Sequence, residues 1–193
     1  MRKLAIISSS VREGRLSHRV ALYTQDYIRK NHPEAEVEII DLLEYDFPLF
    51  RERLAFQKNP SEVVLEFTER FNAAEGLIIV SPVYNADFPA ALKNVIDLYD
   101  KEWKCKPCGV ISVTSGAVPP IATIQKIQTL LLKLGALVAP ALSTVIKAEE
   151  SFTPEGVPAD PTRAESTVRP LLDELLWLME KTEKQTNQSD KNP

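Results

Sequence analysis

The stretch SPVYNADFPAALKNVIDLYD, residues 81–100, decides the fold. An apolar run from Leu77 leads into it and ends at Ser81-Pro82. Proline fixes the backbone where such a run must stop pairing. Behind Pro89, the residues Leu92, Val95, Ile96 and Tyr99 recur at i, i+3, i+4 and i+7, which predicts an amphipathic helix. Between strand and helix lies a loop with a tyrosine and an asparagine that no core requires. Tyr84 offers an aromatic face and a hydroxyl. Asn85 tolerates unusual backbone angles. A strand, a polar-aromatic loop and a helix in that order describe the ligand end of an α/β unit.

The same alternation extends in both directions. Toward the N-terminus the sequence predicts a strand at Lys3–Ser8, a helix at Ser17–Asn31, a strand at Val37–Leu42, and an irregular connection over 43–59. A helix opens at Pro60-Ser61, with Ser61 as N-cap and Val64, Phe67 and Phe71 on one face. Toward the C-terminus come a strand at Cys108–Thr114, a helix marked by Ile124, Ile127, Leu131 and Leu134, and a fifth strand at Leu137–Ser143. Val168, Leu171, Leu172, Leu175 and Met179 mark a last helix, with Pro170 expected in its first turn. The strands are continuous apolar runs, as in parallel sheets buried on both faces. The expected class is α/β, doubly wound, with ligands beyond the carboxyl ends of the strands. That singles out the loops at 8–17, 81–88 and 114–120.

The 193 residues suit one domain, expected over 1–181, with a polar tail at 182–193 expected to be disordered. With 44% hydrophobic residues, 26% charged residues and a net charge of −4, no basic stripe favours nucleic acid. No apolar run approaches the roughly 20 residues of a membrane span. The start, MRKLAIISSS, reads as a strand because its apolar run is short and lacks a cleavage-type motif. Two cysteines and no export signal give the cytoplasm as the expected compartment.

The first loop, SSSVREGRLS, places three serines, Arg12, Gly14, Arg15 and Ser17 ahead of a helix. Unpaired N–H groups at a helix start, hydroxyl donors and guanidinium forks together suit a phosphate. A serine-rich turn with two solvated arginines is the bland alternative. Neither G-x-G-x-x-G nor G-x-x-x-x-G-K-[ST] is present.

Ser10-x-Arg12 after the first strand, and Pro82-x-Tyr84-Asn85 followed by Pro89-x-x-Leu92-Lys93-Asn94-x-Ile96-Asp97, resemble the NADPH-dependent FMN reductase family. The resemblance runs from residue 3 to about 140. It implies a flavodoxin-like three-layer fold, a five-stranded parallel sheet in the order 2-1-3-4-5 with helices on both faces. It implies FMN as cofactor, with phosphate on the first loop at Ser10, Arg12, Arg15 and Ser17. The flavin ring would follow Pro82, Val83, Tyr84 and Asn85, with Thr114, Ser115 and Gly116 at its edge. NADPH or NADH would donate a hydride, and a small acceptor (flavin, quinone, azo compound or metal oxyanion) would receive the electrons. The resemblance also implies a homodimer or homotetramer through the 89–99 helix, with Leu92, Lys93, Asn94 and Ile96 at the interface. One departure stands out. Relatives often carry a Ser-Gly-Gly turn where this chain reads Thr114-Ser115-Gly116-Ala117-Val118-Pro119-Pro120.

Other features carry less. Cys105 and Cys108 form a C-x-x-C, but one pair is half a zinc site, and His18 and His32 lie far off in the chain. The pair reads as structural thiols, with Lys106-Pro107 resembling a common lead-in to this strand. Lys93 and Asp97 read as an i, i+4 ion pair. No acid–base dyad is required when a cofactor performs the chemistry. Three alternatives share the fold: an FMN-binding module with little turnover, a flavin-free interaction protein, and a one-electron carrier like a flavodoxin.

Overall fold

A computed structural model of the protein describes residues 1–189, with side chains through 183. Six stretches of strand form one parallel sheet: β1 (Arg2–Ser8), β2 (Ala35–Asp41), β3 (Gly76–Pro82), β4 (Pro107–Val113), β5 (Leu137–Val138) and β6 (Ser143–Val145). Their order is β2-β1-β3-β4-β5, and β6 also pairs with β4. The helices are α1 (Ser17–Asn31), α2 (Glu62–Ala73), α3 (Ala90–Leu98), α4 (Ile121–Lys133), α5 (Ala148–Ser151) and α6 (Pro161–Ser189). The expected order 2-1-3-4-5 is the observed one.

The alternation of strand side chains divides the core in two. Ala5, Ile7, Leu77, Ile79, Cys108 and Val110 point to one face, where α2, α3 and α4 pack. There Phe71 stacks on Tyr99 with ring centroids 4.8 Å apart, and Trp103 meets Phe71 edge-on. Leu4, Ile6, Ile78, Val80, Ile111 and Val113 point to the other face, against α1 and α6. Both faces of β3 and β4 are buried throughout, which explains their unbroken apolar sequence. At Gly109 a Cβ would stand 3.1 Å from the Leu171 side chain, so the missing side chain lets α6 close on β4.

Several boundaries differ from expectation. The fifth strand is broken. Ala139 N–H still reaches Cys108 O at 2.8 Å, but Pro140 has no N–H to continue the ladder. Pairing resumes at Ser143 opposite Ile111. Pro170 lies inside α6, because Pro161 takes the helix's first position. Pro170 removes the bond to Ser166 O, but both residues are exposed and water can serve that carbonyl. Ser61 does occupy the N-cap of α2, without a capping side-chain bond. Helix α6 continues through Ser189, into the stretch expected to be a disordered tail, and 190–193 lie outside the described residues.

Asn94 ties the connection over 43–59 to α3 through its side chain. Asn94 Oδ1 accepts from Phe50 N–H at 2.6 Å, and its Nδ2 donates to Pro48 O at 3.0 Å. Leu92 and Ile96, expected at an intersubunit interface, are instead core residues with 0% and 1% exposure. The 3.6-residue period gives a helix one apolar face, and here the sheet already covers it. Lys93 and Asp97 form the expected ion pair on the outer side of α3, at 2.6 Å. At the opposite end of the sheet, Lys106 Nζ donates to Phe71 O and Ala74 O, both at 2.9 Å, and so satisfies the C-terminus of α2. Cys108 is fully buried and its thiol is pushed up to about 12 by that burial, which leaves it unreactive.

Candidate functional site

The strand order reverses between β1 and β3, and the three predicted loops leave the sheet there. Backbone bonds tie them together at their roots. Ser9 N–H donates to Val80 O at 3.1 Å, Val83 N–H to Val113 O at 3.2 Å, and Thr114 N–H to Val145 O at 2.9 Å. Above these bonds lies a cavity of about 430 Å³.

Arg12, Arg15 and Ser17 wall the cavity from the first loop, Pro82, Val83 and Tyr84 from the second, and Thr114 and Ser115 from the third. All eight were expected there. Three others were expected but stand behind the wall or beyond it. Ser10 accepts from Arg12 N–H and shares a 2.6 Å bond with Tyr84 OH, joining the first loop to the second. Asn85 occupies the exposed tip of a two-residue hairpin closed by mutual bonds between Tyr84 and Asp87. Gly116 is exposed, and its carbonyl accepts from Lys147 N–H at 2.9 Å, linking the third loop to the start of α5.

The charges are not what a reading by residue type suggests. Arg15 is held in a bidentate pair with Asp41 at the end of β2, and it also donates to Ser10 O at 2.8 Å. Its charge is therefore balanced and its fork is engaged, so it shapes the first loop rather than offering a free cation. Arg12 is exposed and makes no side-chain ion pair among the described residues. Ser17 is 1% exposed, and its Oγ has no hydrogen-bond partner. A buried hydroxyl without a partner costs about 1–3 kcal/mol unless a ligand or water completes it. No side chain caps the N-terminus of α1; Arg19 N–H is taken by Leu16 O at 3.2 Å, which leaves the N–H groups of Ser17 and His18 available. Arg19 and Glu149 wall the same cavity, and the sequence reading did not include them. A cation one turn into α1 was visible in the sequence. Glu149 comes from α5, which β6 sets beside the third loop, and no local spacing announces it.

His18 lies beside the loop, with Nδ1 3.0 Å from Ser8 Oγ and 3.3 Å from Asp41 Oδ2. Both contacts use one ring nitrogen, so the three groups are not a proton relay. Burial lowers the His18 pKa, opposed by Asp41, so the ring is neutral near pH 7. In the third loop, Thr114 N–H is used by Val145 O and Gly116 N–H by Thr114 Oγ1, which leaves the Ser115 N–H for a ligand edge. That loop needs no positive φ at Gly116 or Ala117. Among the described residues, no group of three or more His, Cys, Asp or Glu could hold a metal ion, and no helix is long and apolar enough to cross a membrane.

The fold and the site define a flavodoxin-like α/β protein whose three strand-end loops, with arginines, serines and Tyr84, wall one cavity. Residues 2–150 match the family model described as NADPH-dependent FMN reductase, and the chain belongs to that family. It is similar to an NAD(P)H-dependent FMN reductase of Saccharomyces cerevisiae, 30% identical over 57% of this chain and 64% of that protein. It is also similar to an NAD(P)H-dependent FMN reductase of a Nectria species, 30% identical over 69% of this chain and 71% of that protein. Thus the chain spans just under two thirds of the yeast relative. Among solved structures, a flavoenzyme NAD(P)H:(acceptor) oxidoreductase of Paracoccus denitrificans superposes with a TM-score of 0.77 at 20% identity, covering 93% of this chain and 98% of that one. At that identity the likeness concerns the fold.

Proposed function

We propose that the protein is an NAD(P)H-dependent oxidoreductase that holds FMN in this cavity and passes electrons to a small acceptor. The observation that carries the reading is the buried, unpartnered Ser17 Oγ beside Arg12, in the same cavity as Tyr84. A phosphate needs donors and positive charge, and a flavin ring needs an aromatic or apolar wall. One cavity supplies both. Arg12, Ser17 and the first-turn N–H groups of α1 would hold the phosphate. Pro82, Val83 and Tyr84 would lie along the ring, and the Ser115 N–H would meet its polar edge. FMN, when bound, supplies the hydride and electron chemistry. The protein orients it, excludes water from one side and presents donors where negative charge develops.

Relatives of this chain include proteins named quinone reductase, from Pseudomonas putida, at 28% identity. We extend the acceptor class to quinones, flavins, azo compounds and metal oxyanions, with NADPH or NADH as donor. The two free cysteines, one of them exposed, suit a reducing cytoplasm. Self-association as a dimer or tetramer would use the outer side of α3 and the neighbouring connection, where Leu43 and Leu49 are 52% and 82% exposed.

The test is a visible spectrum of the purified protein after FMN addition and gel filtration, followed by NAD(P)H oxidation with a quinone. Retained flavin bands and turnover are expected. Arg12→Ala should weaken FMN binding by about 1.5–3 kcal/mol, and an unchanged affinity would remove Arg12 from the phosphate site. Bound FMN without NAD(P)H oxidation would make the protein a binding module. A colourless protein that FMN does not stabilise would remove the flavin altogether.

A further inference from the structure

We infer that Arg19 and Glu149 set how strongly this pocket distinguishes FMN from unphosphorylated flavin, with Glu149 loosening the hold on phosphate. The inference rests on the reading that the cavity takes FMN. Both side chains wall the cavity that Arg12 and Ser17 also wall. Arg15 counts for little in the charge balance, because Asp41 neutralises it. Arg19 donates one N–H to Phe152 O at 2.9 Å, which anchors it at the end of α5 and leaves the rest of its fork for another acceptor. Among the described ion pairs, neither Arg12, Arg19 nor Glu149 has an opposite charge as partner. The cavity wall therefore offers two uncompensated cations and one uncompensated anion.

A phosphate monoester brings a charge of about −1.5 to −2 near neutral pH. Arg12 and Arg19 attract it. Glu149 repels it and cannot donate a hydrogen bond to it while ionised. The hydroxyl chain and ring of riboflavin are neutral and do not feel this opposition, and a carboxylate can accept from a hydroxyl. Glu149 is exposed, so solvent screens it and its effect is a moderate one. The consequence is a flavin held less tightly than the arginines alone would hold it.

The experiment is a fluorescence titration of FMN and riboflavin against the unsubstituted protein, Glu149→Gln and Arg19→Gln. At low ionic strength Glu149→Gln should tighten FMN by about three- to tenfold and leave riboflavin unchanged. Arg19→Gln should weaken FMN by a similar factor, again without moving riboflavin. Both effects should shrink in about 0.5 M salt, which a purely structural change would not do. Unchanged FMN affinity in Glu149→Gln, or an equal shift for riboflavin, overturns the inference while leaving the FMN reading intact. Should neither flavin bind the unsubstituted protein, the FMN reading fails instead. The melting-temperature gain with inorganic phosphate then decides the charge assignment: a larger gain in Glu149→Gln upholds it, and an equal gain overturns it.

Discussion

At Ala86 the backbone is left-handed, with φ 61°, and at Asn85 before it φ is 52°. These are the central residues of the hairpin that presents Tyr84, and a two-residue hairpin of this hand favours Asn-Gly. Asparagine meets the demand, while alanine carries a Cβ that the left-handed region disfavours. Lys126 Nζ holds the tip in place, donating to Ala86 O at 2.9 Å and to Asp87 Oδ2 at 2.7 Å. Ala86→Gly should therefore stabilise the protein by about 0.5–1 kcal/mol, measured by chemical denaturation, because relief of strain exceeds the extra freedom of the unfolded glycine. A loss of stability would show that the tip is not strained. At this scale the sequence revealed which residue types gather at the site: Arg12, Ser17 and Tyr84 are where the loops predicted them. It did not reveal the fate of Arg15. Asp41 stands 26 positions further along the chain, and only the parallel pairing of β1 with β2 brings it to the first loop.

Among the elements, α3 shows how a helical period can be right and its reading wrong. The apolar positions predicted a buried face, and Leu92 and Ile96 are buried, but beneath the sheet's own cover. Leu92→Glu should cost about 4 kcal/mol or more and unfold the monomer, because it buries a charge in the core. Leu49→Glu, on an exposed side chain beside the same helix, should leave the denaturation midpoint nearly unchanged and reduce self-association in sedimentation. A Leu49→Glu protein that sediments as the unsubstituted protein does would move the association surface elsewhere. Strand five follows the same logic. Its apolar composition marked a strand, yet the ladder with β4 is interrupted where Pro140 has no donor. Composition reports burial, while pairing depends on which N–H groups are present and where the neighbour's carbonyls lie.

Across the whole molecule, the network of Arg15, Asp41, His18 and Ser8 links the first loop to the sheet edge. His18 has a lowered pKa in the folded state, chiefly through burial, against 6.5 for the free side chain. The unfolded chain therefore binds the proton more readily. Stability from this group is full above pH 6.5 and falls as the pH drops through the folded value. Denaturation midpoints should hold from pH 7.5 to 6.5, then decline below 6.5 in the unsubstituted protein and decline less in His18→Gln. Equal slopes would show that other groups govern that range.

By itself the sequence determined the layered α/β class, the strand order that its family resemblance implies, and the three loops that meet at the site. These follow from local periodicity and from turn residues, which act within a few positions of one another. Only the tertiary structure decided that Arg15 is neutralised, that Leu92 and Ile96 belong to the core, and that Glu149 shares a wall with Arg12. Charge balance and burial are sums over neighbours in space. In a doubly wound sheet, those neighbours come from strands and helices far apart in the chain.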